Sequence, residues 1–298
     1  MQSINYYIKH PSNIIVAFFI RTCNWLPDKL YLQLLFFLHL GKFIHFKRPK
    51  TYSEKLQWLK LHNKKPEYTQ MVDKYSVKQY VADIIGAEHI IPTIGVWNRP
   101  EDIDFNTLPN SFVLKTTHSG GSSGVVICKE KSELNINKTI RKLNKSLKTD
   151  LSKSVREWPY KNAPHKIIAE KYIEDEYGEL RDYKFFCFNG KVKCIQVDCD
   201  RFTIHHRNIY DTKWNLLPVT FGHPCGNHII DKPKNFETML NMAEKLSANI
   251  PHIRVDLYNT NGVIYFGEFT FCPGSGYEYM RPNEWNNIFG DWLNLPQE

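Results

Sequence analysis

No apolar run in this sequence approaches the roughly 20 residues needed to cross a bilayer. The candidates IIVAFFI and LYLQLLFFLHL (Leu30 to Leu40) are both too short, so a membrane-spanning protein is not expected. Cysteine is sparse, odd in number and scattered: Cys23, Cys128, Cys187, Cys194, Cys199, Cys225 and Cys272. That pattern argues against a disulfide framework and for a reducing cytoplasm. The start is polar and contains proline, so no cleavable signal peptide is expected. Internal repeats and low-complexity linkers are absent. Basic charge is also nearly absent from the body. Of the net +8, residues 1–50 carry +6, from seven Lys/Arg against Asp28, which leaves +2 for the remainder. A nucleic-acid groove running through the body is therefore not expected.

What is present describes a folded chain. Its 298 residues are 42% hydrophobic and 14% aromatic, enough for a well-buried core in one large domain or in two or three lobes. Residues 1–50 read as two helices packed on that body. The same basic, aromatic-rich composition suits a segment resting on an anionic membrane surface, near lipid-linked substrates.

Along the body, Thr51 and Glu54 in TYSEKLQWLKLHN form a capping-box pattern that opens a helix. VDKYSVKQYVADIIG is a second helical segment, closed by Gly86. IIPTIGVW, SFVLK and VVICK then read as strands. KIIAEKYI and YKFFCFNGKVKCIQVDCD read as further strands, the latter turning at Asn189-Gly190. FETMLNMAEKLSANI is an amphipathic helix. This order predicts an α+β protein with antiparallel sheet.

Two stretches carry chemistry. THSGGSSG, after a strand ending in Lys115, can bring backbone N–H groups close to a phosphate, although a plain hairpin loop fits it equally. The absence of GK[ST] and of a following helix excludes a Walker A loop. The second stretch is RVDLYNTNGVIYFGEFTFCPGSG. The spacing predicts a hairpin across Asn259 to Gly262, with a three-residue loop. That register puts Arg254, Asp256, Phe266 and Glu268 on one face, with Arg254 opposite Glu268. Val255, Leu257, Tyr265 and Phe269 would fill the other. Asp256 and Glu268 suit Mg²⁺ shared with phosphates, Arg254 suits a phosphoryl or acyl-phosphate oxygen, and the PGSG turn suits an oxyanion. A solvated strand face bearing an ion pair fits the same spacing.

Arg254-x-Asp256, followed by Glu268-x-Thr270 and Pro273-Gly274, resembles the metal-binding end of ATP-grasp ligases. Several longer phrases resemble the TupA-like ATP-grasp family, named for teichuronopeptide biosynthesis. They include TYSEKLQWLKL, VDKYSVKQYV, VWNRPEDIDFNTLPNSFVLKTTH, IIAEKYIED, DYKFFCFNGK and YDTKWN, and they span about Pro49 to Gly290. The resemblance implies an ATP-grasp fold, with antiparallel sheets of two lobes clasping ATP behind an N-terminal helical segment. Its implied parts are residues 1–50, an N-terminal lobe at 51–110, a central lobe at 111–169 and a C-terminal lobe at 170–298. It implies ATP contacts from Lys74, Lys115 and the loop Ser119, Gly120, Gly121, Ser122, Ser123 and Gly124. Glu170, Lys171, Tyr172 and Ile173 would hold adenine, and Asp182 the ribose. Asp256, Glu268 and Thr270 would hold Mg²⁺, Thr270 standing where the superfamily has asparagine. Lys74, Lys115 and Arg254 would act in catalysis.

The implied activity is an ATP-dependent carboxylate–amine ligation through an acyl phosphate. Its substrate would be a saccharide, small or lipid-linked, of a cell-surface polysaccharide such as capsule or O-antigen, and the enzyme would be cytoplasmic or peripheral at the inner face of the plasma membrane. An ATP-grasp kinase is the alternative within the superfamily. Two readings compete from outside it. Asp198-Cys199-Asp200 is a DxD pattern, as in glycosyltransferases using nucleotide sugars. His205, His206, His223, Cys225 and His228 form a ligand-rich stretch, but without zinc-site spacing. His205, His206 and Arg207 are instead candidates for acceptor contacts.

Overall fold

The computed structural model describes residues 11–174, 180–199, 206–226 and 229–297. Helices α1 (Pro11–Thr22) and α2 (Asp28–Leu40) form an N-terminal hairpin. Helices α3 (Tyr52–His62), α4 (Glu67–Val72) and α5 (Val77–Ile85) follow. The Thr51 capping box forms as the sequence predicts: Thr51 Oγ1 accepts from Glu54 N at 3.3 Å, and Glu54 Oε2 accepts from Thr51 N at 3.0 Å. Of the predicted second helix, Val72 to Gly86, Val77–Ile85 forms as α5 and the residues before it turn out of α4. Asp73 ends α4 and its Oδ1 caps the next turn, accepting from Tyr75 N and Ser76 N.

The first sheet holds β1 (Thr93–Trp97), β2 (Phe112–Thr116), β3 (Val125–Cys128) and β4 (Ile167–Lys171) in the order β1-β4-β2-β3. Helix α6 (Ile136–Leu147) covers one face of it, burying Leu143 against Phe112 and Leu114. Helix α7 (Leu151–Ser154) then leads back to β4.

The second sheet runs β10-β9-β5-β6-β7, from β5 (Asp182–Phe188), β6 (Lys191–Cys199), β7 (His206–Asp211), β9 (His252–Thr260) and β10 (Val263–Thr270). β8 (Thr220–Phe221) pairs with β11 (Met280–Arg281) beside it. The pairings in both large sheets are antiparallel, as predicted. Asn189-Gly190 turns β5 into β6 with both residues at positive φ, the predicted hairpin.

The two faces of this sheet differ. Tyr183, Phe185, Val255 and Leu257 pack under α8 (Phe236–Leu246) in a wholly apolar core. The opposite face is divided. Its lower half, Phe186 and Phe188, joins Tyr52 of α3 and Phe289 of α9 (Glu284–Trp292). Its upper half is charged, and there the candidate site lies.

Candidate active site

Each strand of the second sheet contributes polar side chains to one continuous patch. β10 supplies Glu268 and Thr270, β9 Arg254 and Asp256, β5 Asp182 and Lys184, β6 Gln196 and Asp198, and β7 Arg207. Period-two alternation explains it, because every second residue on these otherwise apolar strands points to the same face. Arg254 donates Nε to Asp256 Oδ1 at 2.7 Å and Nη2 to Oδ2 at 2.6 Å. Nη2 also reaches Thr270 Oγ1 at 3.0 Å and lies 3.6 Å from Glu268 Oε1. Half the guanidinium fork is thus fixed, and its Nη1 edge makes none of these contacts. Burial would lower the Arg254 pKa, but the charge and hydrogen bonds of Asp256 raise it, so the guanidinium stays charged.

The hairpin register differs from the sequence expectation. The turn has two residues, Asn261 and Gly262, both at positive φ. Asp256 stands opposite Glu268, and Arg254 opposite Thr270. The shorter turn moves the register by one residue, and a bulge at Gly267 moves it by one more. A side chain there would place its Cβ 3.1 Å from the Asp256 carbonyl oxygen. The turn brings Phe266 opposite Leu257 and so into the apolar core, with Tyr265 on the other face, and the bulge beyond it returns Glu268 to the charged face. The two carboxylates therefore sit directly across from each other, closer than the predicted diagonal.

Lys74 joins this patch to the glycine loop. Its Nζ donates to the carbonyl oxygen of Ser119 and lies 3.4 Å from Glu268 Oε2. Lys74 N also bonds Thr117 O at 2.9 Å, which fixes the turn before α5 against the root of the loop. Burial pushes the Glu268 carboxyl upward, but Lys74 and Arg254 outweigh it and hold the pKa below the ordinary range. The loop tip, Gly120 to Ser123, is exposed, while Ser119 and Gly124 are buried at its base. There His118 stacks on His165 with ring centroids 3.6 Å apart; burial and the charge of His165 lower its pKa to about 4.

A second cluster stands on the first sheet. Glu170 takes Lys78 on Oε1 and Lys115 on Oε2, both at 2.6 Å. Burial opposes ionisation of Glu170, but the two ammonium groups prevail and depress its pKa. Lys171 follows it on the exposed side, and Tyr172 donates to Glu174 at 3.0 Å. Ile173 is half-buried beside it. Asp182, expected at a ribose, lies on the charged face against Lys184.

Sequence reasoning overlooked Lys184. Its ammonium sits between Asp182 and Asp256, 2.9 Å from the latter, and is almost wholly buried. The signal was the alternation of Asp182 and Lys184 along a strand whose other members are apolar. Three cations (Lys74, Lys184, Arg254) and three carboxylates (Asp182, Asp256, Glu268) thus interleave.

In the PGSG turn, expected to face an oxyanion, Ser275 N bonds Cys272 O at 2.8 Å, so that amide is engaged within the turn. Arg207, expected near the acceptor, is held on the charged face by Asp198 at 2.9 Å and by the Phe221 carbonyl at 2.6 Å, with Glu278 at 3.3 Å. Asp198 is also bonded by Gln196, which uses its carboxylate inside the sheet. Asp200, His205 and His228 lie outside the described residues.

Whether these residues suit Mg²⁺ depends on donor chemistry. Asp256 and Glu268 offer hard oxygen atoms on paired strands. The Glu268 side chain is 27% accessible and Asp256 only 1%, so Glu268 is the reachable donor and Asp256 supports it. Thr270 Oγ1 already accepts from Arg254. Among the described residues no three His, Cys, Asp or Glu side chains enclose an ion site. The pair fits an ion shared with nucleotide phosphates, which is how Mg²⁺ is commonly bound.

Comparison with known proteins follows the same lines. No curated protein sequence matches the chain. Among solved structures it resembles D-alanine–D-alanine ligase from Bacillus anthracis in complex with ATP, at 18% identity and TM-score 0.40, covering 68% of this chain and 54% of that one. It also resembles the Helicobacter pylori D-alanine–D-alanine ligase, at 17% identity and TM-score 0.45, covering 81% and 69%. A third is N5-carboxyaminoimidazole ribonucleotide synthetase in complex with ADP, at 14% and 0.46, covering 73% and 50%. The chain thus spans between half and about two-thirds of the length of these proteins. The sequence model described as TupA-like ATPgrasp matches residues 54–294, four-fifths of the chain. With antiparallel sheets, a lysine-backed glycine loop and paired strand carboxylates in place, the chain belongs to the TupA-like ATP-grasp family.

Proposed function

We propose that this protein is an ATP-dependent carboxylate–amine ligase acting on a saccharide of the cell surface or its lipid-linked precursor. The observation that carries the reading is Lys74, whose ammonium touches both the glycine loop at Ser119 and the carboxylate strand at Glu268. A γ-phosphate held beneath the loop would meet that ammonium and the unengaged Nη1 edge of Arg254. Lys115, 2.6 Å from Glu170, stands at the mouth of the same loop. The γ-phosphoryl group passes to a substrate carboxylate oxygen, an amine attacks the resulting acyl carbon, and phosphate leaves. These cations stabilise the charge that moves, and positioning supplies much of the remaining catalysis. Mg²⁺ bound through Glu268 and Asp256 would neutralise phosphate charge. Lys184 donates at 2.9 Å to the same Asp256 oxygen that takes Arg254 Nη2, and so helps to hold the Arg254 fork in register.

The saccharide substrate rests on the family resemblance. A place at the inner face of the plasma membrane is supported by the hairpin α1–α2. It packs inward through Tyr31, Leu32, Leu35 and Phe36. Outward it exposes Phe18 at 68% and Trp25 at 79%, with Ile14, Ile15 and Phe37. Arg21 on the hairpin and Lys42, Lys47, Arg48 and Lys50 just after it are exposed, a charge complementary to anionic lipid.

The test is thermal shift with Mg²⁺ and either a non-hydrolysable ATP analogue or UDP- and CMP-sugars. A ligand at about 100 times its Kd stabilises the fold by roughly 2.7 kcal/mol. Stabilisation by the ATP analogue, lost in Lys115→Ala and Glu268→Ala, is expected. Stabilisation by nucleotide sugars alone would refute the reading. Release of free phosphate with ADP separates a ligase from a kinase, which leaves the phosphate on its product.

A further inference from the structure

We infer that a basic cleft behind the active site binds an anionic group of the saccharide substrate, a phosphate or carboxylate separate from the phosphates of ATP. The inference rests on the ligase reading for its ligand, but the cleft itself is a matter of geometry. It is a cavity of about 350 Å³ between α3, residues 150–162 and the start of α2. Small-molecule pockets commonly begin at about 300 Å³, so a sugar phosphate fits its size.

The lining is unbalanced in charge. Lys60, Lys64, Lys153, Arg156 and Lys161 face it, against only Asp28 and Asp150. Both acids are already engaged. Asp28 takes Arg156 Nε at 3.0 Å and Lys64 at 3.7 Å, while Asp150 caps α7 through Ser152 N at 3.0 Å and lies 3.4 Å from Lys153, so two acids are shared among three of the five cations. Lys60 is 4% exposed, and its ammonium is held by the carbonyl oxygens of Val155 at 3.0 Å and Ser275 at 2.8 Å. Those contacts take two of its three donors, the Tyr277 ring lies 4.7 Å away, and Glu157 offsets part of its charge without an ion pair at contact distance. Among the described residues Lys161 makes no ion pair. Half-buried Trp158 gives the cleft an apolar wall.

The cleft is built rather than incidental. Arg156 adopts φ 57°, a left-handed backbone that costs a non-glycine residue energy and persists where surroundings enforce it. Its guanidinium lies 3.9 Å from the Tyr31 ring centroid and donates to the carbonyl oxygens of Asn24 at 2.8 Å and Lys153 at 2.6 Å. These contacts lock residues 153–156 against the N-terminal hairpin.

The same segment reaches the active site. Ser275, which receives Lys60, also donates its hydroxyl to Glu157 at 2.6 Å, and the Pro273–Gly276 turn follows Thr270 on β10. Buried Tyr160 has its pKa raised by burial and further by the charges of Glu157 and Glu268. Glu157, Tyr160 and the Pro273–Gly276 turn thus form the wall between the cleft and the β10 carboxylate.

The full-length protein, saturated with a non-hydrolysable ATP analogue and Mg²⁺, is titrated with glucuronic acid 1-phosphate by calorimetry, with glucose and inorganic phosphate as separate arms. Wild type should bind the sugar phosphate with an affinity that falls as salt rises, and glucose should not bind. Inorganic phosphate should compete with it. Lys64→Glu combined with Lys161→Glu should weaken binding at least tenfold. In the same variant the thermal shift given by the ATP analogue should persist, which shows that the fold is intact. Equal affinity in wild type and variant would overturn the proposal, as would absence of binding to wild type by both sugar phosphate and inorganic phosphate. Binding of glucose as tightly as the sugar phosphate would also overturn it. If the ATP analogue itself fails to bind, the ligase reading falls, while the salt dependence and the variant still report on the cleft.

Discussion

Replacing Arg254 with lysine keeps the charge and removes the fork. Wild type holds Asp256 through two charge-assisted bonds, at 2.7 and 2.6 Å, and Thr270 through a third at 3.0 Å. A lysine ammonium can restore one of the first two. A hydrogen bond to a charged group contributes about 1.5–3 kcal/mol. Asp256 is 1% exposed, so water cannot substitute. Arg254→Lys should therefore destabilise the fold by about 2–3 kcal/mol. Arg254→Met, which leaves Asp256 to Lys184 alone, should cost about 3–5 kcal/mol. Urea denaturation gives these differences from midpoint and slope. Pairing Arg254→Met with Asp256→Asn removes the stranded charge as well. The double variant should therefore lose at least about 1 kcal/mol less than the sum of the singles. A midpoint for Arg254→Lys within about 0.5 kcal/mol of wild type, together with additive singles, would show that the fork does not hold the strand face together.

Two further outcomes follow from the geometry. Glu54 accepts from the backbone N–H groups of His45, Lys50 and Thr51. Burial pushes its pKa up, but these bonds outweigh it, and the pKa lies below the ordinary 4.5. Its stabilisation is thus fully present above that ordinary value and is lost as pH falls through the lower folded value. Glu54→Gln should cost about 1–2 kcal/mol at neutral pH, and the gap should close on acidification; a gap unchanged down to about pH 3 would refute the assignment. In vesicle flotation, wild type should bind phosphatidylglycerol membranes and not phosphatidylcholine, and Phe18→Ser with Trp25→Ser should abolish it. Each buried aromatic contributes about 1.5–3 kcal/mol, so equal flotation of the variant would remove the hairpin from membrane contact.

Much of this protein is decided locally. Thr51 and Glu54 open a helix because the hydroxyl and carboxylate they carry satisfy the first free N–H groups, whatever lies nearby. Asn189-Gly190 turns a strand because both residues accept positive φ. The family phrases, the glycine loop with Lys115, and the Arg254-x-Asp256 and Glu268-x-Thr270 spacings were all legible before any coordinates. What the sequence could not determine was register and partnership. Gly267 reads as an ordinary strand residue until the close approach of the Asp256 carbonyl shows that it is a bulge, and that single inserted residue decides which side chains face the site. Lys184 reads as one charge in a strand until β9 brings Asp256 beside it. The Ser275 amide of PGSG reads as free until it closes on the Cys272 carbonyl. The cleft around Lys60 gathers residues more than 100 positions apart. Local motifs depend on contacts a few residues long, and one chain carries them openly. Charge partners and cavities depend on which distant strands meet, and only burial makes those meetings energetically decisive.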